Sequence, residues 1–103
     1  MESFHSDWSV TVETIGKGGM IHYREGSNSL STDWEFGAGK TLAIIFFPRR
    51  MTWDRDHPWA TGRMDEIWTR IAQEVIRQKA PGCESHFDER DGNIYISESH
   101  NAA

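Results

Sequence analysis

The chain is short of several things, and each shortage closes a class of function. It has one cysteine, Cys83, in 103 residues. A single thiol builds neither an internal disulfide framework nor a Cys-rich zinc site, and it fits a reducing compartment. Long apolar runs are missing too. The longest, 42–47, falls far below the roughly 20 residues a membrane helix needs. The opening residues, Met1-Glu2-Ser3-Phe4-His5-Ser6-Asp7-Trp8, lack the basic start and apolar stretch of a signal peptide. No Asn-x-Ser/Thr acceptor occurs, since Asn28 is followed two residues later by Leu30. A cytoplasmic protein without membrane association is therefore expected. Positive charge is also scarce, for the formal net charge is -5. Duplex-binding domains carry a basic face that displaces counterions from phosphate, so nucleic acid is a poor partner for this chain.

What the chain has in excess is tryptophan, five residues of it. An aromatic side chain buries roughly 150–250 Å², so several of the five must lie in a core or an interface. The length suits one domain with one core.

Hydrophobic periodicity sets the expected elements. Trp8, Val10 and Val12 share one face of a strand over 8–15. A flexible turn, Gly16-Lys17-Gly18-Gly19, leads to a strand over 20–25 in which Ile21 and Tyr23 share a face. The next strand, 30–36, interleaves Leu30, Trp34 and Phe36 with polar residues. The run 41–47 is apolar on both faces, which predicts a central strand with something covering each side. Pro48 ends it.

Met64, Ile67, Trp68, Ile71, Ala72, Val75 and Ile76 form a continuous stripe at helical spacing. The spacing predicts a helix over 61–79, capped by Thr61, with Asp65 and Glu66 at its positive end. Pro81-Gly82 stops it. A last hairpin, 84–88 and 93–97, turns at Asp91-Gly92. The expected fold is α+β, a single domain over 1–103 with frayed ends at 1–7 and 98–103. Its antiparallel meander has five to six strands in the order β-β-β-β-α-β-β, with one long amphipathic helix on one face.

Several motifs fail on inspection. Gly39-Lys40-Thr41 suggests a phosphate loop, but Trp34 stands where the earlier glycine belongs, and a strand follows instead of a helix. Gly16-Lys17-Gly18-Gly19 breaks the dinucleotide fingerprint at Ile21. No cofactor is expected. Cys83 and His86 lie three apart on a strand and so face opposite sides, which excludes a dyad. Asp54, Asp56 and His57 hold ligand-type atoms, but the surrounding arginines oppose a cation, and no metal is expected.

The segment 49–63 concentrates Arg49, Arg50, Trp53, Arg55, His57, Trp59 and Arg63 between the apolar strand and the helix. Read as a loop, it is the natural place for a binding surface, because Trp and Arg dominate binding hot spots. The tryptophans either plug the sheet end or stand out as anchors. The arginines suit a carboxylate, a phosphate or an acidic partner. The function expected is that of a non-catalytic protein-interaction or ligand-binding domain, homodimeric where the second sheet face needs a cover. The alternative is a small enzyme on an anionic substrate, with Asp54, Asp56 or His57 as acid, base or metal ligand.

Overall fold

The computed structural model of the chain describes residues 7–99. Most of the ends expected to fray, 1–6 and 100–103, lie outside that range. Asp7 is tied in through its carbonyl, which accepts the Gly26 N–H at 3.3 Å.

Six strands form one antiparallel sheet. They are β1 (Trp8–Ile15), β2 (Gly18–Glu25), β3 (Asn28–Phe36), β4 (Thr41–Phe46), β5 (Cys83–Asp88) and β6 (Asn93–Glu98). Between β4 and β5 come α1 (Arg50–Asp56), a single 3-10 turn (Pro58–Ala60) and α2 (Met64–Lys79). The α+β class forms as the sequence predicts, and Glu98, expected to fray, ends β6 in register with Cys83.

The meander is broken at one point. Neighbour order across the sheet is β1-β2-β3-β4-β6-β5, so β5 takes the edge and β6 returns beside β4. The reason is strand direction. Both β4 and β5 run antiparallel to β6, hence parallel to each other. Parallel strands cannot be joined by a tight hairpin; they need a crossover, and the helical segment supplies it.

Side-chain alternation assigns the faces. Val10 and Val12 pair with Tyr23 and Ile21, which pair in turn with Leu30 and Thr32. These point toward α2, as do Trp34, Ile45, Ile94 and Ile96, and all but Val12 are buried. From the helix, Ile67, Ile71 and Ala72 are wholly buried against them, and Met64 and Val75 nearly so. Val12, Trp68 and Ile76 pack at the margin of this core.

Gly18 and Gly19, expected as a free connector, begin β2. A Cβ on Gly18 would stand 2.2 Å from the Trp34 carbonyl oxygen, and one on Gly19 1.8 Å from that of Glu13. Only glycine lets the backbones approach so closely. Gly19 is paired with Trp34, whose indole N–H reaches across to the Glu13 carbonyl at 3.1 Å.

Helix α2 starts later than predicted. Thr61 does not cap it; its hydroxyl donates to the Pro58 carbonyl at 3.0 Å, closing the 3-10 turn. Gly62 follows at φ +76, a left-handed conformation that breaks the helical path. Arg63 takes the N-cap position without a capping side chain.

Candidate functional site

The segment 49–63 is not an irregular loop. It folds as α1 and the 3-10 turn, a correction to the sequence reading with a clear physical origin in Trp53. That side chain is 2% exposed, stacks on Phe47 at 5.7 Å, and donates its indole N–H to the Ala60 carbonyl at 2.8 Å. One buried side chain thus pins both short helices to the sheet. Trp53 is a plug, and the reading of it as an exposed anchor is excluded. Trp59 is half-buried against the Tyr23 ring at 6.4 Å, and His57 sits over the Trp53 ring at 4.6 Å.

Three of the segment's four arginines meet carboxylates of their own chain. Arg50 donates to Asp65 at 2.7 Å and to Glu89 at 3.0 Å. Arg63 donates to Glu25 at 2.8 Å and Glu66 at 3.0 Å. Arg55, on the exposed face of α1, pairs with its neighbour Asp56 at 3.0 Å. Arg49 is exposed and, among the described residues, unpaired.

Arg63 belongs to a larger network that the sequence reading missed. The carboxylate of Glu25 accepts from Arg63, from Arg70 at 3.3 Å and from the Tyr23 hydroxyl at 2.7 Å. Arg70 also donates to the Tyr23 oxygen at 2.7 Å and lies over the Trp8 ring at 4.9 Å. The hydrogen bond from Arg63 holds the Glu25 carboxyl below its ordinary value, against partial burial. Burial first, and the Glu25 carboxylate second, push the Tyr23 phenol up to about 12. The i,i+4 pair Glu66–Arg70 was legible on the helix; Glu25, far away on β2, was not.

Asp54, Asp56 and His57 do not converge. Asp54 accepts the Gly62 N–H at 3.0 Å, Asp56 faces Arg55, and His57 packs on two tryptophans. Among the described residues no three His, Cys, Asp or Glu side chains gather as a cation site. Cys83 turns toward the core while His86 is exposed, the opposition that strand geometry predicts.

Among the described residues, two surfaces bear on function. The first is a cleft of about 270 Å³ at the other end of the inner face, between the C-terminal end of α2 and the sheet. Its walls include Val12, Phe36, Leu42, Ala43, Val75 and Lys79. Leu42 sits at a register irregularity between Thr41 and Ala43, which brings it to the cleft beside Ala43.

The second surface is the outer face of the sheet, which no helix covers among the described residues. Ile44 and Phe46 stand there opposite Glu35 and Asp33, with Met20 and Ile15 on the flanking strands. Phe46 is 38% and Ile15 67% exposed. The sequence did signal this face, through the two-sided apolar character of β4.

No family model matches the chain, and no curated protein or solved structure is significantly similar to it. Among the described residues, no helix is long and apolar enough to cross a membrane.

Proposed function

We propose that the chain is a small non-catalytic interaction domain that pairs with a second copy of itself through the outer face of its sheet. One observation carries this reading. Both helices and the 3-10 turn follow β4 and cover the inner face, while the outer face keeps Ile44, Phe46, Met20 and Ile15 in contact with water. Bare apolar strips of this kind mark protein contacts. A strip that presents the same chemistry to its own copy suits a twofold, self-complementary contact.

The segment 49–63 serves the same function indirectly. Its tryptophans fix the crossover that keeps the helices on one side, and Arg50 and Arg63 are held by carboxylates rather than offered to an anion. An enzyme on an anionic substrate gains no support from Asp54, Asp56 and His57, which point to separate partners.

Asp33 and Glu35 make no ion pair among the described residues and stand within this face, Asp33 between Met20 and Phe46 and Glu35 between Gly18 and Ile44. In a symmetric pair they bring like charges together. Salt screens such repulsion, so association should strengthen as ionic strength rises. Sedimentation equilibrium at micromolar concentration tests the reading. A dimer mass that tightens with salt, and that Phe46→Glu abolishes, is expected. A monomer near 11.9 kDa at every concentration and salt level defeats self-pairing.

A further inference from the structure

We propose that the cleft at the C-terminal end of α2 is a binding site for a free medium-chain carboxylic acid, with the chain lying in the cleft and the carboxylate at Lys79. The cleft is built from residues far apart in sequence. Ala43 on β4 and Ala80 just past α2 both line it, and their short side chains leave the space that larger ones would fill. Two of the five large apolar side chains exposed among the described residues, Phe36 at 57% and Leu42 at 37%, stand on its walls. Part of the exposed apolar area thus borders a concavity, the usual form of a small-molecule site.

Size and charge narrow the occupant. The volume is about 270 Å³. At about 30 Å³ for each water-sized group, that holds roughly nine such groups, a chain of medium length. Lys79 is the one charged side chain among the lining residues, and it makes no ion pair among the described residues. The arginines at the opposite end of α2, Arg63 and Arg70, are both neutralised by Glu25 and Glu66. A second lysine, Lys40, stands in the turn that joins Phe36 to Leu42. Apolar walls with an unpaired ammonium at the edge complement an apolar body with one anionic head. The contact is reversible binding, with no covalent step.

The test is a titration of the full chain, followed by backbone amide and methyl shifts, with decanoate below its micelle concentration. Decyltrimethylammonium and 1-decanol carry the same chain with a cationic or neutral head. Decanoate should shift the resonances of Val12, Leu42 and Val75 and bind about tenfold more tightly than the cation. Lys79→Met should weaken decanoate about twofold to fivefold, the range of an exposed ion pair, and leave decanol unchanged. Ala43→Phe fills the cleft and should abolish binding of both in a protein that still melts cooperatively.

Shifts absent from the cleft, equal binding of decanoate and the cation, or decanoate affinity unaltered in Lys79→Met would each overturn the proposal. So would shifts at the cleft produced by anionic vesicles but not by soluble decanoate. The cleft and the outer strip lie on opposite faces of the sheet, so oligomeric mass and acid binding are read separately.

Discussion

The two ends of the inner sheet face are built on opposite plans. Where α2 begins, Trp8, Tyr23, Trp53 and Trp59 fill the space, and Glu25 binds Arg63, Arg70 and the Tyr23 hydroxyl. Where α2 ends, Phe36 and Leu42 face water around a cleft edged by Lys79. The first end spends its aromatic and charged residues on holding the helix to the sheet. The second leaves apolar surface exposed and an ammonium that makes no ion pair among the described residues. Richness in Arg and Trp therefore marks the structural end here, and the candidate site lies among plainer residues.

The largest expected effect breaks the closed end. Trp53→Ala removes a buried indole and one of the two donors to the Ala60 carbonyl, leaving the Arg63 N–H as the other. The loss should be about 3–5 kcal/mol, enough to unfold a domain of ordinary stability. Equilibrium urea unfolding measures it. A loss below about 1 kcal/mol would show that the crossover holds without its plug.

A smaller effect is expected at Glu25, whose side chain is 23% exposed. Glu25→Gln keeps the shape but removes the charge that two arginines share, and should reduce stability by about 1–3 kcal/mol at neutral pH. The sign with pH follows from the depressed carboxyl. Its contribution is complete above the ordinary value of 4.5 and disappears as pH falls through the lower folded value. The gap between wild type and Glu25→Gln should therefore narrow in acid. Asp65, Glu66 and Glu74 are depressed in the same direction by Arg50, Arg63 and Arg77, so both proteins still weaken there. At the alkaline side the raised Tyr23 phenol contributes stability that is lost as pH climbs from 10 through about 12. Melting curves from pH 2 to 11 compare the two chains; a constant gap across the acid range would remove Glu25 from the network.

Much of the fold was legible because side-chain period carries it. β1 was read residue for residue, and the stripe of α2 was read down to its buried members. α1 was missed because it is seven residues long with one buried side chain, too short to show a period. The strand order was missed because periodicity identifies a strand but not its neighbours; the parallel relation of β4 and β5 exists only in the assembled sheet. Glu25 gave no signal, since its partners lie 38 and 45 residues away. The cleft is hardest of all to read. It is a space, produced by Ala43 and Ala80 meeting across the fold, and apolar patterning treats a small residue as ordinary core.

The smallest expected effect sharpens the contrast at the open end. Phe36 is 57% exposed, and its one aromatic contact among the described residues is the edge-to-face meeting with Trp34 at 4.8 Å. A phenylalanine holding the core together would lose several kcal/mol on truncation, as Trp53 should. A rim residue has most of its surface in water already, so little transfer energy remains to be lost. The edge-to-face contact itself is worth about 0.5–1.5 kcal/mol. Phe36→Ser should therefore change stability by at most about 1.5 kcal/mol, several times less than Trp53→Ala in the same urea experiment. It should also leave the Glu25 network untouched, so its melting temperature should follow pH in parallel with wild type. A loss as large as that of Trp53→Ala would mean that both ends are built alike, and Phe36 would then be a core residue closing a packed end.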